Sequence, residues 1–213
     1  MLSDFAQIKP KDIVVDLGCG SGILMLLLWA REKGSRFIGI DIQSEIAEMA
    51  QRSIKYNHLE SQMKVLCKDL NDVQDKDIPS ESIDCVICNP PYGESGRWEQ
   101  SPFPAVAAAK MQKENLIENI FRLTKRILKG KGRIYLIYPA AQMFNLMETM
   151  RSYSIEPKRF RLVYSNTFKP ADLVLIEGIK NAKPLLHPMP PLIIRTESGS
   201  LTNELKSIYH IQE

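Results

Sequence analysis

The sequence predicts an α/β fold: a seven-stranded, mostly parallel sheet that ends in a C-terminal antiparallel hairpin. Three observations carry this expectation. Over residues 1–90, short runs of branched apolar residues alternate with longer stretches of helical periodicity. The links are short, so successive strands return in the same direction through right-handed crossovers. Near the C-terminus two apolar runs follow each other with no helical pattern between them, and a parallel pair would need a longer crossover.

In chain order, DIVVDLG (12–18) reads as a strand, GILMLLLWAREKG (22–34) as a helix closed by Gly34, and RFIGIDI (36–42) as a second strand. SEIAEMAQRSIKYN is a helix with Ser44 as its N-cap. MKVLCKD (63–69) and SIDCVICN (82–89) give two more strands. A helix over 112–128, a KGKG turn, the strand RIYLIYP (133–139) and a helix from Ala140 to about Arg151 continue the pattern. KRFRLVYS (158–165) and DLVLIEGIK (172–180) form the hairpin. The tail carries Pro184, Pro188, Pro190 and Pro191, a strand-like PLIIR, and a brief helix around Asn203–Tyr209. With 213 residues, 44% apolar, the chain has enough material for one core. We expect one domain over 1–213, with 180–213 as an extension packed on it.

The formal charge is only +3, but it is unevenly placed. Lys110, Lys113, Arg122, Lys125, Arg126, Lys129, Lys131, Arg133, Arg151, Lys158, Arg159, Arg161 and Lys169 face only Glu114, Glu118, Glu148 and Glu156 in the same stretch. A solvated protein face and a polyanion-binding surface both fit that bias. Cys19, Cys67, Cys85 and Cys88 lie in apolar stretches or beside glycine, as reduced intracellular thiols do. Cys85 and Cys88 are three apart on a strand and therefore face opposite sides, which argues against zinc or redox chemistry. The run ILMLLLWA is too short to span a bilayer, and the N-terminus has no secretory pattern, so a cytoplasmic protein is expected.

Ligands of open parallel sheets sit beyond the carboxyl ends of the strands. The first such end is DLGCGSG, where Gly18, Gly20 and Gly22 permit a tight turn and close backbone approach to a nucleotide-like molecule. A dinucleotide fingerprint wants a third glycine at position 23, which is Ile23. The G-x-G-x-G preceded by Asp16 instead resembles the loop of S-adenosylmethionine-dependent methyltransferases. Asp41 ends the second strand, where an acid accepts hydrogen bonds from ribose hydroxyls, a position that NAD fits equally well. Asp69, followed by Leu70, fits a carboxylate that takes an adenine amino group beside an apolar ring contact.

The fourth strand ends in Asn89-Pro90-Pro91-Tyr92. On average residue usage a chain of this length contains N-P-P-Y on the order of once in a thousand times. An exocyclic amino or amide nitrogen is a poor nucleophile, because its lone pair is delocalised. The Asn89 side-chain oxygen and the Pro90 carbonyl are placed to accept its two N–H groups and so orient the lone pair. Pro90 and Pro91 stiffen that carbonyl, and Tyr92 offers a flat face for the acceptor. The histidines, His58, His187 and His210, are scattered, and neither a metal nor a covalent nucleophile is needed.

With these residues in place, the chain resembles the bacterial family of adenine-N6 methyltransferases that modify a valine tRNA beside its anticodon. The resemblance is carried by DLGCGSGI, NPPY, LTKRILKGKGRIYLIYP, IEPKRFRLVY, LVLIEGIK, PPLII and LTNELKSIY. It implies a Rossmann-like class I methyltransferase fold, S-adenosyl-L-methionine as cofactor and tRNA as partner, with no membrane and no metal. It also implies that Asp16, Gly18, Gly20, Asp41 and Asp69 bind the cofactor and that Asn89 to Tyr92 hold the adenine. The full expected cofactor set adds Cys19, Gly22, Ile42, Leu70 and Asn89. Family members usually carry a segment before the equivalent of LSDFA, and relative to them this chain reads as N-terminally truncated. Its AVAAAKMQKE and PAAQ stretches also depart from the family's usual A-x-A-R-H-E and His-Arg. A protein glutamine methyltransferase of the release-factor type and a non-catalytic binding module on the same fold remain as alternatives.

Overall fold

The computed structural model describes residues 1–91 and 116–211. A short helix α1 (Leu2–Phe5) precedes β1 (Ile13–Leu17), α2 (Ile23–Ala30), β2 (Arg36–Asp41), α3 (Ser44–Tyr56), β3 (Met63–Cys67) and β4 (Ile83–Cys88). Then come α4 (Leu116–Ile127), β5 (Leu128–Pro139), α5 (Met143–Ser152), β6 (Ile155–Tyr164) and β7 (Ala171–Lys180). The tail supplies β8 (His187–Pro188), β9 (Leu192–Ile193) and α6 (Asn203–Tyr209). Single 3₁₀ turns lie at Leu70–Asp72 and Ala140–Gln142.

The strands stand in the order β3-β2-β1-β4-β5-β7-β6-β8, with β9 also on β6. Seven long strands match the sequence expectation, and β8 and β9 are two-residue additions that attach the proline-rich tail to the edge. β1 to β5 are mutually parallel, and β7 runs antiparallel between β5 and β6. Both faces are covered, which is why strands β1 and β4 read as nearly continuous apolar runs. Period-two alternation sends Val14, Phe37 and Cys85 into one core with α2 and α3. Val15, Ile40 and Val86 enter the other, with Phe121 of α4 and Met150 of α5. Burying one such aromatic ring contributes about 1.5–3 kcal/mol.

Of the boundaries that differ from the sequence reading, three have a clear local reason. The helix expected to reach Gly34 stops at Ala30, because Glu32 (φ 56°) and Gly34 (φ 87°) are left-handed and cannot continue it. Ser44 opens α3 rather than capping it; Gln43 is the cap residue. The KGKG stretch is no separate turn but a bulged start of β5. Pairing jumps from Ile83↔Leu128 to Cys85↔Arg133, and Lys131 takes φ 66°.

The insertion of β7 is fastened by one row of side chains. Glu177 on β7 is buried in register with Tyr135 on β5 and Arg159 on β6. The Tyr135 hydroxyl donates to Glu177 Oε1 at 2.8 Å, and Arg159 Nε donates to Oε2 at 3.0 Å. Arg159 also donates to the Phe5 carbonyl and lies 4.5 Å over the Phe5 ring, which ties α1 to the sheet. Removing one partner of a buried pair leaves an uncompensated charge. Arg159→Met is therefore expected to lower unfolding free energy by about 3 kcal/mol, read from urea denaturation, and Arg159→Met with Glu177→Leu to recover part of that loss.

Candidate functional site

The strand order reverses between β1 and β4, and there the two neighbours are in register, Leu17 opposite Cys88. The residues that follow, Gly18 and Asn89, thus leave the sheet side by side. The Cys88 thiol donates to the Leu17 carbonyl at 3.0 Å and closes the two strand ends together. Leu17 is also opposite Ile40, and Asp41 opposite Cys67. The ends of β3, β2, β1 and β4 therefore form one rim that brings Asp69, Asp41, Gly18 and Asn89 to the same edge.

The glycine loop needs its glycines. Gly18, Gly20 and Gly22 have φ of 71°, 54° and 80°, a region that other residues enter at a cost. The Ile40 carbonyl accepts the Gly18 and Cys19 N–H groups at 2.9 and 3.0 Å. Asp41 completes the clamp: Oδ2 accepts the Gly20 N–H at 2.9 Å and Oδ1 the Gln43 N–H at 3.0 Å. A Cβ added at Gly18 or Gly20 would meet nothing within 4 Å, so the concave side of the loop is open. Gly39 was not singled out in the sequence, yet a Cβ there would lie 2.7 Å from Cys19 Sγ, so only glycine lets the loop fold down on β2.

Asp16 is the unusual group. It is fully buried, and neither carboxylate oxygen has a hydrogen-bond partner. Burial first, and then the negative charge of Asp41, pushes its pKa up to about 8. An unpaired carboxylate in such a place is costly unless it keeps its proton or gains a donor or cation from a ligand. Beside it, burial raises the thiols of Cys19, to about 12, and of Cys88. Cys85 and Cys88 lie in the two opposite cores, as their spacing predicts, and both are protonated, buried thiols.

Along the rim, Ile42 is 59% exposed, an apolar surface at the end of β2. Asp69 caps the 3₁₀ turn: its Oδ1 accepts the Asn71 backbone N–H at 2.8 Å and Asn71 Nδ2 at 2.9 Å, while Oδ2 has no partner among the described residues. Leu70 beside it is half-buried. Sequence reasoning missed Asn71 and Arg122, whose Nη1 donates to Asn71 Oδ1 at 3.2 Å; the D-x-N spacing was the available signal. Asn89 and Pro91 are exposed and Pro90 is buried. Tyr92 and the stretch 94–110 lie outside the described residues.

Most described cations of the basic second half have partners within the chain. Arg126 binds Asp75, Lys129 binds Asp84, Arg133 binds Asp12, Arg151 binds Glu156, Arg159 binds Glu177 and Arg161 binds Glu204. Lys131 and Lys158 donate to the carbonyls of Asn181 and Lys183. These residues thus have partners within the chain, several of them at the surface. Among the described residues no group of three or more His, Cys, Asp or Glu could hold a metal ion, and no helix is long and apolar enough to cross a membrane.

A family model described as "Methyltransferase domain" matches residues 8–189. Curated relatives named tRNA1(Val) (adenine(37)-N6)-methyltransferase include one from Aliivibrio salmonicida, 23% identical over 93% of this chain and 82% of its own length. Another, from Vibrio cholerae, is 26% identical over 93% of this chain and 80% of its own length. A third, from Parabacteroides distasonis, is 25% identical over 100% and 84%. Among solved structures, a predicted O-methyltransferase from Agrobacterium tumefaciens superposes with TM-score 0.77 at 22% identity, covering 98% of this chain and 94% of that one. A putative RNA methyltransferase from Pyrococcus horikoshii gives TM-score 0.60 at 15% identity over 84% and 79%. At these identities the structural likeness concerns the fold alone.

The Asp16 carboxyl sets a pH dependence. Its folded-state pKa lies above the ordinary 3.8, so the folded protein holds a proton that the unfolded chain releases. The stability from this group is fully present below about pH 3.8 and is lost as pH rises through about 8. Between about pH 5 and 7.5, unfolding free energy of the ligand-free protein should fall by up to about 1.4 kcal/mol per pH unit from this group. Guanidinium titrations of wild type against Asp16→Asn measure this contribution; parallel pH profiles for the two proteins would contradict it.

Proposed function

This chain belongs to the methyltransferase domain family, and on that premise we propose that it methylates the N6 amino group of an adenine in tRNA. The reading names S-adenosyl-L-methionine as cofactor and valine tRNA, next to the anticodon, as the substrate, in line with the names of its curated relatives. One observation carries it: the Leu17–Cys88 register sets the open glycine loop and Asn89 side by side at the point where strand order reverses.

The residues present fit the cofactor. Asp16, buried with two unpartnered oxygens, suits a cationic donor; the open faces of Gly18 and Gly20 admit a chain close to backbone. Asp41 uses one lone pair on each oxygen to hold the loop, which leaves acceptor capacity for ribose hydroxyls. Asp69 Oδ2 is available to an adenine amino group, with Ile42 and Leu70 as apolar contacts for the ring. Cys19 and Gly22 shape the loop, and Gly22 N–H donates to the Cys19 carbonyl at 2.9 Å. When bound, S-adenosyl-L-methionine supplies an electrophilic methyl group.

The chain's own task is to prepare the acceptor. Asn89 Oδ1 and the Pro90 carbonyl accept the two amino protons of adenine, and so withdraw its lone pair from conjugation with the ring and aim it across the crevice. Pro90 is buried and fixed, which gives that carbonyl a set position. No general base is needed before transfer, since the amino group becomes acidic once alkylated. Tyr92, whose stacking role belongs to the same reading, is outside the described residues.

Asn89 is exposed, so Asn89→Ala should remain folded, as circular dichroism reads, and lower kcat by at least about a hundredfold. The assay offers labelled S-adenosylmethionine with unmodified tRNA, rRNA, DNA or a release factor. Label in tRNA that is lost in Asn89→Ala supports the proposal, while label only in a release factor overturns its substrate. Cofactor binding should also release a proton from Asp16 at about pH 7 and tighten as pH rises toward about 8. Calorimetry in two buffers of different ionisation heat reads this, and the difference from Asp16→Asn removes the ligand's own titration.

A further inference from the structure

The carboxyl edge that holds Asn89 continues across the rest of the sheet. β6 runs parallel to β5, since both are antiparallel to β7, so the ends of β5 and β6 share that edge. Two elements open there: α5, whose second residue is Phe144, and the β6–β7 turn, which carries Phe168 and Lys169. Phe144 and Phe168 are 77% and 75% exposed. By contrast Phe5, Phe37 and Phe121 are buried in the cores.

Leaving a phenylalanine in water forgoes most of the stabilisation that burying it would bring. The β6–β7 turn is also held in place and does not trail loosely. Asn166 Oδ1 accepts the Phe168 N–H at 3.0 Å, and Asp172 Oδ2 accepts the Ser165 N–H at 3.0 Å. Next to Phe168, Lys169 is exposed and pairs with no other described residue, whereas most cations of this half are internally bound. With strands about 4.8 Å apart, the turn lies roughly 10–15 Å along the edge from β4, a span of a few nucleotides.

We propose that Phe144 and Phe168, with Lys169, form the surface that receives the single-stranded nucleotides flanking the target adenine, bases stacking on the two rings and a phosphate pairing with the lysine. The proposal rests on the RNA-adenine reading of the Asn89 site. It is a surface of aromatic faces and one free cation, the combination by which single strands are held without sequence readout. An adenine lifted to Asn89 must leave its stack, and rings further along the edge give its neighbours a replacement.

Binding is read apart from methyl transfer, by fluorescence anisotropy of a short labelled oligouridylate with one central adenosine. Phe168→Ala and Phe144→Ala should each raise Kd about 5- to 150-fold without changing the melting temperature. Phe168→Trp should restore affinity and Phe168→Leu should not. Lys169→Ala should flatten the salt dependence of log Kd by somewhat less than one unit of slope. Unchanged Kd in both alanine variants, or no binding by wild type, overturns the surface. RNA methylated normally by both variants with unchanged affinity sinks the surface alone. Oligonucleotide bound through Phe168, with no RNA methylated by wild type, sinks the reaction and leaves the surface standing.

Discussion

Everything at this site depends on the register between β1 and β4. Pairing Leu17 with Cys88 fixes where each strand leaves the sheet, and so puts the glycine loop and Asn89 at one crevice. The register is held by burial on both faces: Val14 and Val15 of β1 and Cys85 and Val86 of β4 each fill one of two opposite cores. A one-residue slip would exchange every side chain between cores and separate Gly18 from Asn89. The Cys88 thiol bonded to the Leu17 carbonyl closes the same junction at its open end.

Around that junction the loop is firmly hydrogen-bonded while one buried carboxyl is left unsatisfied. Asp41 holds the loop with both carboxylate oxygens, and Gly39 lets Cys19 sit down on β2. Asp16 is left buried without a partner, a condition that ordinary packing does not select. Its proton relieves the charge that burial would leave unpaired. The fold bears this local cost because distant elements, such as the Glu177 row that fastens β7, are fully paired.

Much of this was legible in the sequence, since period-two and helical patterns are strong where strands are buried on both faces. The edge residues Asp41, Asp69 and Asn89 could be placed because each stands at the end of such a run. What the sequence hid was pairing across distance. Arg133 with Asp12 and Arg161 with Glu204 are 121 and 43 residues apart, so the sequence could not say which cations of the basic stretch have partners. The same blindness concealed the structural duty of Asp41: an acid at a strand end and a loop clamp look identical in one dimension. The bulge in β5 was missed because Lys and Gly residues mark a turn and a bulge alike.

That cofactor and acceptor meet at the β1–β4 crevice can be read by amide hydrogen exchange of the whole chain with and without S-adenosylmethionine. Exchange should slow together in the loop after β1, at Ile42 and Gln43, and in the turn at Leu70–Asp72, with β6 and β7 unchanged. Protection confined to the opposite edge of the sheet, or none in these three segments at saturating cofactor, would contradict it.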